Sequence, residues 1–165
     1  MRGVEPRATP SLEIERKFVL AAVPDDLSRH AGERIDQGYL AVAEDGVEVR
    51  VRRRGDATVL TVKSGPAHVR VEEEIPIERS RFEALWPLTA GRRLTKTRYR
   101  VPLGDVTAEV DVYAGALDGL KIAEVEFGSE EASAHFTPPA WFGREVTGDP
   151  RYANQRLARE PAPPR

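Results

Sequence analysis

Two-residue alternation between apolar and charged side chains recurs in eight separate stretches of this chain, and that period belongs to strands, not helices. The stretches are 12–20, 34–42, 47–54, 58–63, 69–78, 94–101, 107–113 and 120–127. Turn chemistry separates several of them: Glu44-Asp45-Gly46, Gly55-Asp56, Ser64-Gly65-Pro66, Gly104-Asp105 and Asp118-Gly119. Eight short, closely spaced strands point to a barrel or a sandwich. Helical signals are few and short. A helix is expected after Pro24 over 25–31, one over 80–86 with Ser80 as N-cap, and one over 129–136 opened by Ser129. The last is expected over 149–159, with Asp149 as cap and Pro150 in the first turn.

The length of 165 residues suits one domain, expected over 11–159. Residues 1–10 read as a flexible arm and 160–165, half proline, as a flexible tail. The chain has no cysteine, which excludes disulfides and thiolate chemistry. The sequence has neither a secretory signal nor an apolar run of spanning length, so the expected address is the cytoplasm, without membrane contact. A phosphate-binding P-loop and a dinucleotide glycine fingerprint are both absent.

The strands share one property when compared. Glu13, Glu15 and Lys17 lie on one face of the first, and Glu48, Arg50 and Arg52 on one face of the third. Thr61 and Lys63 follow on the fourth, then Arg70, Glu72 and Glu74 on the fifth. Lys96, Arg98 and Arg100 align on the sixth, Glu109 and Asp111 on the seventh, and Glu124 and Glu126 on the eighth. Alternation alone fits a solvated sheet face, and by itself favours that reading. Two details weigh against it. These positions are almost wholly ionic, and acid pairs and basic pairs occupy different strands. Acid pairs two residues apart repel unless a cation lies between them, and basic pairs unless an anion does. A ligand carrying divalent cations and many phosphate oxygens fits both. With 32% charged residues but a net charge of only -2, the chain lacks the basic excess of a nucleic-acid binder.

At these residues the sequence resembles the CYTH superfamily, the triphosphate tunnel metalloenzymes. Leu12-Glu13-Ile14-Glu15-Arg16-Lys17-Phe18 carries the E-x-E-x-K signature. Gln37-Gly38-Tyr39-Leu40, Thr61-Val62-Lys63, Glu72-Glu73-Glu74-Ile75-Pro76, Lys96-Thr97-Arg98-Tyr99, Glu109-Val110-Asp111-Val112 and Ala123-Glu124-Val125-Glu126 continue it. Trp141-Phe142-Gly143 and Arg151-Tyr152-Ala153-Asn154 end it. The likeness is to the short bacterial members that hydrolyse inorganic tripolyphosphate. It departs at Glu73, Ser64 and Ala108, none of them a charged tunnel position.

The resemblance implies a mainly β, α+β fold: an eight-stranded antiparallel closed barrel, a tunnel, with short helices outside and at one end. It implies metal binding by Glu13, Glu15, Glu124 and Glu126, with Glu72, Glu74 and Asp111 as further candidates, the ion being Mg2+ or Mn2+. It implies a triphosphate grip by Lys17, Arg50, Arg52, Lys63, Lys96 and Arg98. Glu13, Glu15, Lys17, Lys96 and Arg98 are the expected catalytic set. The expected partner is a small-molecule triphosphate, cleaved to pyrophosphate and phosphate; a homodimer is compatible with this. The alternatives are a thiamine or nucleoside triphosphatase, an adenylate cyclase of the class IV type, and a polyphosphate-binding module without catalysis. His30, His68 and His135 lack metal-ligand spacing, Trp86, Trp141 and Phe142 read as packing residues, and Tyr39 and Tyr152 either pack, the favoured reading, or reach a tunnel mouth. Arg100 is in phase with Arg98, and its role stays even.

Overall fold

The computed structural model describes residues 11–65 and 68–164. The expected arm, Pro66 of the third turn and the last residue of the tail lie outside that range. All eight stretches form strands: β1 Ser11–Val19, β2 Gly32–Val42, β3 Glu48–Arg54, β4 Ala57–Ser64, β5 Val69–Pro76, β6 Arg93–Leu103, β7 Val106–Tyr113 and β8 Lys121–Phe127. They close into one antiparallel barrel in the order β1-β5-β4-β3-β2-β6-β7-β8. Five of the pairings are between consecutive strands. The other three, β1–β5, β1–β8 and β2–β6, join strands far apart in sequence and close the ring. In the tight β3–β4 turn Gly55 has φ +55°, a left-handed conformation that glycine adopts without steric cost.

Closure sends one face of each strand inward and the other out. Val101, Ala108, Val110, Ala123, Val125 and Phe127 form an outward apolar surface on β6, β7 and β8, covered by Leu20, Leu27, Phe136, Trp141 and Phe142. Phe18 joins this layer, its ring 4.8 Å from that of Phe142. Helix α1 (Arg79–Leu85) lies over β3 and β4, and α2 (Glu130–His135) over β1 and β8. The helices do not cover the whole wall: Leu12, Val71 and Ile75, on β1 and β5, stay exposed. Gly38 of β2 is held against a 3-10 turn over Trp86–Thr89; a Cβ there would sit 2.6 Å from that of Thr89.

The helical expectations need four corrections. After Pro24 only a 3-10 turn forms, Leu27–Arg29, because Leu27 alone is buried. The second helix starts one residue early, with Glu78 rather than Ser80 at the N-cap, and no side chain caps it. It ends at Leu85, ahead of Pro87, but the chain does not straighten there: it runs on as the Trp86–Thr89 3-10 turn, where a first-turn proline withholds no needed N–H. By contrast, Ser129 does cap α2, its hydroxyl accepting from the Ala132 N–H at 3.1 Å.

The fourth correction concerns the C-terminal segment. Asp149 caps as expected, but the helix is two pieces, a 3-10 turn Pro150–Tyr152 and α3, Asn154–Leu157. Ala153 between them is extended, with ψ 131°. Both Tyr152 and Leu157 are buried in the cluster that fills this end of the barrel, with Tyr39, Leu94, Tyr113, Leu117, Leu120, Ile122 and Val146. On one continuous helix they would point about 140° apart. The break turns both toward the same cluster. Ala162, in the tail, packs against it too.

Candidate active site

The inward faces enclose a cavity of about 570 Å3. At one end it is lined by the β2–β3 turn, Gly65 and residues 146–150 and 153–155; at the other by Arg54, Glu74, Arg100, Glu109 and Glu126. Of the residues expected to bind metal or triphosphate, Glu13, Glu15, Lys17, Arg50, Arg52, Lys63, Glu72, Glu74, Lys96, Arg98, Glu124 and Glu126 all line it, and Glu109 of the charged face joins them. Asp111 does not reach the lumen. It lies fully buried behind Lys96 and Arg98, which bond it at 2.6 Å and at 2.7 and 2.8 Å. These two cations take up both of its oxygens.

The strand order arranges the charges in a way the sequence order hides. Around the ring, β7, β8, β1 and β5 are consecutive and carry nearly all the acids: Glu109, Glu124, Glu126, Glu13, Glu15, Glu72 and Glu74. The other half, β4, β3, β2 and β6, carries Lys63, Arg50, Arg52, Lys96, Arg98 and Arg100. The cavity therefore has an acidic wall facing a basic one. Two cations lie within the acidic wall: Arg70 on β5, and Lys17, which is 3.3 Å from Glu124 and donates to the Tyr152 carbonyl at 3.2 Å.

Each wall is electrostatically loaded. Glu15 faces Glu126 across the β1–β8 pair; burial, then Glu124 and Glu13, push its carboxyl up to about 8. Burial pushes Glu13 up to about 7, against the pull of Lys63, and raises Glu126 as well. Glu72 is the counterpart of Glu13: burial opposes it, but hydrogen bonding with Glu13 and the nearness of Lys63 hold it down at about 2. Such a coupled carboxyl pair keeps one proton near neutral pH. Glu124 stays well below its ordinary value because Lys17, Arg98 and Lys96 outweigh burial. On the basic wall, burial pulls Lys96 down to about 8, with Asp111 resisting and Arg98 adding to the fall. Burial, Arg50 and Arg98 bring Arg52 down to about 10. Arg52 pairs with Glu74 at 2.9 Å, whereas buried Arg50 has no carboxylate partner among the described residues and leaves its Nε without an acceptor.

The donor set on the acidic wall suits a hard divalent cation: several carboxylates, crowded enough to hold protons in the absence of added positive charge. Among the described residues no three acidic or histidine side chains already converge on one point. Lys63 stands between Glu13 and Glu72, at 2.8 and 2.9 Å.

Some lining residues carried no expected role. Glu48 and Arg70, 3.3 Å apart, close the β2–β3 end, and Arg70 also donates to the Gly46 carbonyl. Alternation places both on the charged face, but neither is among the residues that the resemblance implies for metal or phosphate. Thr147, Asn154 and Gln155 reach the cavity from the C-terminal segment, and no periodic signal marks them. The cations at this end of the chain turn elsewhere: Arg156 pairs with Glu160, and Arg159 donates to Gln155. Trp86 stacks on Phe82 with ring centres 5.2 Å apart, and Tyr39 and Tyr152 are packed in the end cluster, as packing residues should be.

Comparison with known proteins agrees with this geometry. The CYTH domain family matches residues 11–152. An inorganic triphosphatase of Nitrosomonas europaea is 49% identical over 148 residues, covering 88% of this chain and 96% of that protein. An inorganic triphosphatase of Acetivibrio thermocellus is 40% identical over 152 residues, covering 90% and 94%. A crystal structure of an inorganic triphosphatase superimposes with a TM-score of 0.68 at 46% identity, over 90% of this chain and 95% of the other.

Proposed function

The chain belongs to the CYTH domain family, and from that premise we propose that it is a divalent-metal-dependent triphosphatase that hydrolyses inorganic tripolyphosphate to pyrophosphate and phosphate. The observation that carries the reading is the split of one cavity into an acidic and a basic wall. A bare polyanion would be repelled by the first wall and a bare cation by the second. A polyphosphate with its divalent cation satisfies both at once.

In this reading Arg50, Arg52, Lys96 and Arg98 hold the phosphate oxygens, with Lys63 and Lys17 reaching from the sides. Arg50 has the least competition, since among the described residues no carboxylate lies within ion-pair distance of it. Asp111 holds Lys96 and Arg98 in place from behind. Glu13, Glu15, Glu72, Glu124 and Glu126 would hold the metal, and Mg2+ or Mn2+ there supplies positive charge to the phosphate oxygens. Water attacks the terminal phosphorus in line, the bond to the bridging oxygen breaks, and pyrophosphate leaves. The water's proton passes to a carboxylate of the acidic wall. Most of the rate comes from positioning and electrostatic stabilisation, because no covalent step is required of the protein.

The test is phosphate release from tripolyphosphate, pyrophosphate, ATP and thiamine triphosphate, with and without Mg2+ or Mn2+. Tripolyphosphate should be cleaved far faster than the others. Pyrophosphate leaves basic groups unpaired, and among the described residues no aromatic side chain lines the lumen to stack on a base. Equal turnover of ATP, or formation of cyclic AMP, would overturn the substrate assignment.

A further inference from the structure

The C-terminal segment carries a polar group that the charge pattern does not account for. Asn154, the first residue of α3, lines the cavity. Its Oδ1 accepts a hydrogen bond from the Tyr113 hydroxyl at 2.6 Å. At 2.6 Å the contact has the length of an O–H···O bond, shorter than N–H···O bonds run, which sets the carboxamide oxygen and not its nitrogen against the phenol. The Nδ2 group is then turned away from Tyr113, and among the described residues it has no hydrogen-bond partner.

The surroundings hold this arrangement firmly. Tyr113 is buried on β7 and packs in the end cluster. Two residues before Asn154, the Tyr152 carbonyl accepts from Lys17 Nζ, so the segment meets the lumen beside a cation of the triphosphate grip. Tyr152 is itself pinned, its hydroxyl accepting from Arg144 at 2.9 Å. The extended Ala153 lets the Tyr152 carbonyl point to Lys17 while Asn154 starts a new turn. A rigid N–H donor is thus presented where a phosphate chain held by Lys17 would end.

We propose that Asn154 is a substrate-binding residue, donating its side-chain N–H to an outer phosphate oxygen of the triphosphate, and that Tyr113 is the positioning residue that aims it. This rests on the triphosphatase reading above. A neutral donor suits this spot, since it binds phosphate oxygen without adding another buried cation beside Lys17. The rival role is a purely structural staple between β7 and the C-terminal segment.

The variants Asn154→Asp, Asn154→Ala and Tyr113→Phe separate the two, read by calorimetric Kd for tripolyphosphate, KM, kcat and melting temperature. Asn154→Asp keeps an acceptor for Tyr113 but sets an anionic oxygen where the donor was. It should melt like the wild type and bind tripolyphosphate at least about tenfold more weakly, the worth of a hydrogen bond to a charged group. Asn154→Ala should raise KM about as much and leave kcat nearly unchanged, as expected when a contact common to ground and transition states is lost. Tyr113→Phe should raise KM less, by freeing the carboxamide to rotate. Wild-type Kd and KM in Asn154→Asp, or a lower melting temperature with unchanged KM in Asn154→Ala, would overturn the proposal in favour of the staple. Binding without hydrolysis by the wild type would instead count against the triphosphatase reading, and the Kd series would still decide the role of Asn154.

Discussion

Asp111 Oδ2 and Lys96 Nζ lie 2.6 Å apart across the β6–β7 pair, with Lys96 1% and Asp111 0% exposed. Arg98 grips the same carboxylate through its Nε and a terminal nitrogen. One buried anion therefore anchors two cations of the basic wall.

Replacing Asp111 with Asn keeps the shape and removes the charge. Lys96 would be left buried without its anion and Arg98 with Glu109 as its nearest one, and breaking such a buried pair typically costs about 3–5 kcal/mol. Urea unfolding should show that loss, and the folded fraction should bind tripolyphosphate less tightly because Lys96 and Arg98 lose the carboxylate that aligns them. An unchanged unfolding midpoint would show that another group compensates these cations.

Activity should vanish with a chelator and return with Mg2+ or Mn2+. Glu15→Gln and Glu126→Gln, facing each other across β1 and β8, should each shift the metal titration to much higher concentration, because each loses an anionic oxygen donor. Identical titrations in both variants would remove these residues from the metal site.

The raised carboxyls on β1 predict a pH dependence with a definite sign. Glu13 and Glu15 titrate at about 7 and about 8 in the fold, above the ordinary value of 4.5. Between those limits the folded protein holds more protons than the unfolded chain. The contribution of these two groups to stability is therefore full below about 4.5 and is lost as pH rises through about 7 and 8. The metal-free protein should melt at progressively lower temperature from pH 6 to pH 8.5. Mg2+ or Mn2+ should reverse this, with the gain in melting temperature growing over the same range as the carboxylates lose their protons. A gain independent of pH would mean that other groups bind the ion.

Ending the chain after Gly148 would remove Tyr152, Leu157 and Ala158 from the end cluster and Asn154 and Gln155 from the cavity. Loss of stability and weaker tripolyphosphate binding are both expected. The milder Leu157→Ala separates them: it should cost about 2–5 kcal/mol as a buried truncation while leaving the lumen's polar groups in place. Nearly normal KM in that variant, with raised KM in the truncation, is the expected pattern, and circular dichroism checks that both remain folded.

Alternation made the strands and their inward faces readable, because side-chain phase within a strand is a local property. Neighbourhood is not. Arg70 and Glu124 read as members of separate pairs until β1 is placed between β5 and β8. The separation into two walls depends on closures between distant strands, which no short-range pattern encodes. Asp111, a further metal candidate in the resemblance, shares the phase of Glu109, but its register opposite Arg98 decides what its oxygens meet. The C-terminal break was unreadable because Asp149-Pro150 announces a helix start and nothing nearby announces the stop. It is burial of both Tyr152 and Leu157 that bends the chain at Ala153.

The placement of β1 between β5 and β8 also bears on how the chain is made. Lys17 lies opposite Glu124, so the first strand leaves the ribosome about a hundred residues before its second neighbour exists, a wait of roughly 5–20 s at ordinary synthesis rates. Throughout that interval the alternating Glu13, Ile14, Glu15, Arg16, Lys17 and Phe18 have one flank without a partner. The charges that later grip a ligand then serve a different purpose, keeping a waiting strand hydrated and discouraging it from pairing with another nascent copy.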